Sequence, residues 1–149
     1  MTTSSNTNYT VIIGRNNIKI LAIAENKTIG HMNIACSRLM NSCNINMIEV
    51  EQQYQGQGHA SSIYKVALDY LDKSKYQNGY ISGKATTQGN ILLEKYLGKT
   101  DEFGYVKTTI KEARNNFNHT PDYQAEQKAL GGFTEKVLNS EENIGCPFL

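Results

Sequence analysis

The sequence predicts one domain with a mixed, mostly antiparallel sheet flanked by helices, an α/β or α+β architecture. Three observations carry that expectation. Short apolar runs between Thr10 and Cys36 are joined by turns of two to four residues, which can connect only antiparallel neighbours. From His59 the apolar period changes to that of a helix. The length, 149 residues, is that of one ordinary domain. Such a chain buries roughly 70% of its unfolded surface and needs no disulfide or metal to fold.

Val11-Ile12-Ile13 opens the sheet, and Gly14-Arg15-Asn16-Asn17 suits a tight turn. In the second strand, Ile18, Ile20 and Ala22 alternate with Lys19, Leu21 and Ile23. Asn26-Lys27 turns into a third strand over Thr28–Cys36, and a polar loop, Ser37–Asn44, leads to a fourth over Ile45–Glu51. In the helix that runs from His59 to Lys75, Ile63, Val66, Ala67, Tyr70 and Leu71 fall on one face. Tyr80–Thr87 reads as a strand, Gln88–Leu97 as a helix stopped by Gly98, and Phe103–Ile110 as a strand. Thr120-Pro121-Asp122 combines a capping hydroxyl, a first-turn proline and a carboxylate, so a helix is expected to Leu130, with a short helical segment over Phe133–Asn139. The organisation expected is a disordered segment 1–8, a core over 9–110 and a helical extension over 111–149 packed on the same domain.

Composition narrows the function. A formal net charge of +1 offers no electrostatic footprint for nucleic acid, so none is expected as a partner. No window approaches the length of a membrane span, and Met1–Asn8 lacks the basic and apolar regions of a signal peptide. Three cysteines without CxxC spacing point to a reducing, cytoplasmic setting. His31, His59 and His119 are isolated, so no metal is expected.

The informative stretch is Val50-Glu51-Gln52-Gln53-Tyr54-Gln55-Gly56-Gln57-Gly58-His59-Ala60, where a strand passes through a glycine-bearing loop straight into a helix. First-turn N–H groups and the positive helix end then converge, and glycines let a phosphate approach the backbone. His59-Ala60 replaces the Lys-Ser/Thr of a P-loop, and Ser61 stands where a dinucleotide fingerprint has its third glycine. The same glycines also suit a tight strand-to-helix turn that holds no ligand.

Gln53-x-x-Gly56-x-Gly58 resembles the Gln/Arg-x-x-Gly-x-Gly/Ala signature of the GCN5-related N-acetyltransferases, the GNAT family. Val50, Tyr54 and Gln55 stand at the family's spacing, Ser61–Leu71 is similar to its central helix, and Leu93, Lys95 and Gly98 match its next helix. The resemblance covers about residues 10–107. It implies a GNAT-like sheet with a splayed parallel strand pair, and acetyl-CoA as co-substrate. The backbone N–H groups of Gln55, Gly56, Gln57, Gly58, His59 and Ala60 would hold the pyrophosphate, with Gln53 opening the motif. The main chain of Ile48 and Val50 would pair with the pantetheine arm.

Two departures stand out. Only Gly14–Asn17 separates the first two strands, where many members carry two helices that wall the acceptor cleft. An open cleft suits a protein lysine or N-terminal amine somewhat better than a small amine, which needs enclosure. The family's acid tyrosine aligns with Glu94, and Tyr96 lies about 200° further round the helix. Tyr96 therefore reads either as the general acid or as a packing residue. Glu49, first, and Glu51 are the candidate general bases, each also readable as a solvated strand carboxylate. No nucleophile motif competes, so direct acetyl transfer to a primary amine by an N-acetyltransferase is expected, from a monomer or homodimer. The alternative is a non-catalytic CoA-binding or protein-interaction module of the same fold.

Overall fold

The alternation in the first strands is reproduced in a computed structural model, which describes residues 7–85, 90–119 and 132–138. The elements are β1 (Asn8–Ile13), β2 (Asn17–Ala24), β3 (Lys27–Ser37), β4 (Ser42–Val50), α1 (His59–Asp72), β5 (Tyr80–Lys84), α2 (Asn90–Leu97), β6 (Tyr105–Thr109), α3 (Ile110–His119) and β7 (Thr134–Val137). They form one seven-stranded sheet in the order β6-β5-β4-β3-β2-β1-β7. It is antiparallel except for β4–β5 and β1–β7.

Period two decides which residues are buried. Ile18, Ile20, Ala22 and Ala24 of β2 are buried, in register with Val11 of β1 and with Met32 and Ile34 of β3. α1 lays Ile63, Val66, Ala67 and Leu71 on that face. α2 lies on the same side, because a Cβ at Gly83 would meet Leu93 Cδ1 at 2.8 Å. α3 joins it there, and Phe117 stacks on Tyr96 at 4.5 Å. Among the described residues, all three helices therefore cover one face of the sheet.

The β4 ladder carries the feature that matters most for function. Asn33 pairs with Met47 but Ile34 pairs with Ile45, which makes Asn46 an extra residue on β4. The parallel pairing of β4 with β5 ends at Ile45↔Gly83, although β4 continues to Val50. β5 itself ends at Lys84, one residue past the last pair, so the remainder of β4 has no partner on that side in β5.

Several expectations need correcting. β4 starts at Ser42, not Ile45, because Cys43 and Ser42 pair with Cys36 and Ser37 and shorten the loop to a turn. α3 lies in the extension expected to be helical, though its start at Ile110 was not read; Thr109 caps it, its Oγ1 accepting the Glu112 N–H at 3.0 Å. The short helical segment expected over Phe133–Asn139 is not found in its described residues 133–138, since Thr134–Val137 forms β7 parallel to β1. The extension over 111–149 is therefore not wholly helical. The Thr120-Pro121-Asp122 helix start and segment 1–6 lie outside the described residues.

Candidate active site

β4 delivers the chain to the site with its polar main chain already sorted. The Glu51 N–H donates to Ile29 O at 2.8 Å and so faces β3. Alternation then turns the N–H and C=O of Val50 and Ile48 away from β3, to the side where β5 no longer pairs with β4. The Val50 carbonyl there accepts a hydrogen bond from Gln55 Nε2 at 2.9 Å. Ile48 and Val50 send their side chains to the helix side, packed against the core.

The loop below is built from a single 3-10 turn, Gln52–Tyr54, and two left-handed glycines. Gly56 has φ 80° and Gly58 φ 86°, conformations L side chains rarely adopt. A Cβ on Gly56 would meet nothing within 4 Å, so backbone conformation and not crowding by the protein asks for glycine there. Gly58 caps α1 without any side-chain cap, and α1 has no acidic residue in its first turn. The first N–H to close a bond across the helix start is that of Ser62, to Gly58 O at 3.0 Å. Among the described residues no side-chain cap and no first-turn carboxylate meets the positive end of α1, an arrangement that fits an external anion. The Gln55 N–H differs from the expected cradle, since it donates to Gln52 O at 3.2 Å.

The remaining sequence-predicted residues fall in distinct surroundings. Gln53 and Gln57 are exposed, and Gln57 Nε2 reaches Gln53 O at 3.4 Å. The His59 side chain is buried at 1% exposure, edge-on to Tyr54 with ring centres 6.0 Å apart. Ala60 is half-buried beside it. Tyr54 donates to Glu25 at 2.9 Å, and that bond raises the phenol's pKa. Glu51 is held by Lys27 Nζ at 3.1 Å, a pairing that raises the lysine pKa. With Gln52 and Gln53 the two line an open depression of about 610 Å³.

Glu49 stands on the face of β4 turned away from the helices, directly opposite His31 of β3, with Oε1 3.7 Å from Nε2. His31 was missed, because only the strand pairing brings it to Glu49. Tyr96 is fully buried between Tyr64 and Phe117, and its hydroxyl donates to Ser61 Oγ at 3.3 Å. Glu94 is exposed and accepts from Thr100 Oγ1 at 2.8 Å, which lowers its pKa. Among the described residues, no three His, Cys, Asp or Glu side chains gather to hold a metal, and no helix is long and apolar enough to cross a membrane.

A seven-stranded, mostly antiparallel sheet with the parallel pair β4–β5, beside a glycine loop that opens a helix, is the GNAT fold. Solved structures of that fold superpose on this chain. They include AtaTR bound with AcCoA (14% identical, covering 68% of this chain and 72% of that one, TM-score 0.53). A second is the KacTA–DNA complex (14%, 71% and 76%, TM-score 0.53). A third is a spermidine N-acetyltransferase SpeG chimera from Vibrio cholerae and hSSAT (12%, 68% and 71%, TM-score 0.50). The chain spans 41% of nourseothricin acetyltransferase. No protein-family model and no curated protein sequence matches it.

Proposed function

We propose that the chain is an acetyl-CoA-dependent N-acetyltransferase that transfers its acetyl group directly to a primary amine. The observation that carries this reading is the end of β4–β5 pairing at Ile45↔Gly83, immediately above a loop with two left-handed glycines and an uncapped α1. Acetyl-CoA would supply the activated acetyl thioester. The N–H groups from Gly56 to Ala60 would hold the pyrophosphate, and Ile48 and Val50 would offer strand-like pairing to the pantetheine amides. Gln55 Nε2, now on Val50 O, has to turn aside for that pairing. AtaTR with AcCoA and the SpeG chimera lend support, being acetyl-CoA-bound and an N-acetyltransferase respectively.

Glu49 is the proposed base. An acceptor ammonium with an ordinary pKa near ~10.4 must lose a proton before its lone pair can attack the thioester carbon. The exposed carboxylate of Glu49 can take that proton beside the β4 edge beyond Ile45↔Gly83, with His31 next to it. Glu51, neutralised by Lys27, is the weaker candidate. Tyr96 is proposed as a packing residue that braces Ser61, since a phenol at 0% exposure does not meet a leaving thiolate. No helical wall stands on the sheet face beside Glu49 among the described residues, which suits an acceptor amine carried on a macromolecule.

The burial of Tyr96 also favours a second reading, a CoA-binding module without turnover. Incubating the protein with acetyl-CoA and mixed lysine peptides and polyamines separates the two. Steady CoA release above the hydrolysis background supports the enzyme; binding without release supports the module.

A further inference from the structure

The near-neutral net charge of +1 conceals a segregation that only the strand register reveals. On the sheet face turned away from the helices, Ile12 of β1 stands between Lys19 of β2 and Lys136 of β7. At the other side of the same face, β5 and β6 present Tyr80, Lys84, Tyr105 and Lys107. Tyr80 is 43% and Tyr105 41% exposed, and Lys107 Nζ lies 4.9 Å from the centre of the Tyr80 ring. None of the four lysines makes an ion pair among the described residues. The carboxylates near the face are Glu49 and Glu51 at the far end of β4, Glu51 neutralised by Lys27, and Asp101 beside Tyr105, whose Oδ1 accepts the Phe103 and Tyr105 N–H groups at 2.8 and 2.9 Å. Asp69, Asp72, Glu94 and Glu112 sit on the helices, and Glu135 turns to the helix side to meet Lys73 at 2.9 Å.

We propose that this open sheet face binds single-stranded nucleic acid. Seven strands spaced about 4.8 Å apart make a face about 29 Å wide, enough for several nucleotides. Unpaired lysines at both margins suit the phosphates, and flat exposed tyrosines interleaved with lysines suit the bases, whose π-faces stack on aromatics without regard to sequence. An acidic protein would use the lysines but has no need of two exposed aromatic rings beside them. The inference is independent of acetyl transfer.

The test is fluorescence anisotropy of a labelled single-stranded RNA 16-mer with the full chain, at two salt concentrations. Binding should weaken with salt, with a log–log slope of about −0.7 per phosphate contacted and so roughly −3 for four lysines. Lys84→Glu with Lys107→Glu should weaken binding at least tenfold. Tyr80→Ala and Tyr105→Ala should each weaken it about tenfold while leaving the slope unchanged, as loss of a stacked base does. Lys95→Glu with Lys99→Glu, away from the face, should change little. Should a tyrosine variant fail to fold by circular dichroism, Lys107→Gln, on an exposed side chain, reads the same face. No binding at low salt, equal sensitivity to the Lys95/Lys99 pair, or a polyglutamate peptide that binds as tightly as RNA would overturn the proposal. Acetyl-CoA affinity, measured alongside, reports separately on the loop.

Discussion

Gly58, Glu49 and Tyr96 make the account testable one residue at a time. Gly58 holds φ 86° at the start of α1, so Gly58→Ala should cost about 1–2 kcal/mol of stability in a urea titration, the usual penalty for a left-handed L residue. Its acetyl-CoA affinity should fall as well. Glu49→Gln should lower kcat about 10²-fold and leave the KM for acetyl-CoA unchanged, as removal of a general base does. A variant with full kcat would exclude Glu49 as the base. Tyr96→Phe removes one long hydroxyl contact and should keep transfer within a few-fold, whereas Tyr96→Ala should destabilise by about 3–5 kcal/mol. The glycine loop was legible in the sequence because its chemistry is local: two glycines, a strand before and a helix after. The His31–Glu49 pair was not, since eighteen positions separate the two and only the β3–β4 register joins them.

At the scale of elements, α3 clasps α1. Arg114 Nη2 lies 3.0 Å from Asp69 and Nη1 lies 2.9 Å from Asp72, all three side chains about a quarter to a third exposed. Arg114→Ala should cost on the order of 1 kcal/mol, less at high salt, read by urea unfolding at two ionic strengths. The sequence held a sign of this helix in Thr109-Ile110-Lys111-Glu112, a Ser/Thr-x-x-Glu start with buried positions following at Ala113 and Phe117. The β-branched run Val106, Thr108, Thr109, Ile110 masked it, because the strand propensity of β6 runs directly into the cap. β7 left no such sign. Thr134–Val137 is exposed throughout and carries no apolar alternation; its strand character comes from the β1 edge that it pairs with. The β4 bulge was equally silent, since an extra residue is defined only against the partner strand.

The whole molecule divides its labour between the two faces of one sheet. The helix side carries the core, including Tyr9, Tyr64 and Tyr76, whose phenols burial pushes above their ordinary 10.0, Tyr76 to about 12. Each folded-state pKa then exceeds the unfolded one, so their contribution is complete below pH 10. Stability should fall as pH rises from 10 through 12, where the unfolded chain gives up its phenolic protons first. Denaturation midpoints across that range, with tyrosinate absorbance as the reporter, check the sign; a midpoint that stays level to pH 12 would contradict it. The alternation of β2 and the amphipathic α1 made the buried face readable, whereas the opposite face acquires its character from pairings among all seven strands. The β4 edge beyond Ile45↔Gly83 and the glycine loop are proposed to form one acetyl-CoA site. Isothermal titration calorimetry with acetyl-CoA and with CoA tests it most directly, using the wild-type chain and Gly58→Glu, which sets a carboxylate against the proposed phosphate cradle. The wild type should bind one-to-one and the folded variant should not; no heat of binding at high micromolar ligand, or undiminished binding by the variant, would refute the site.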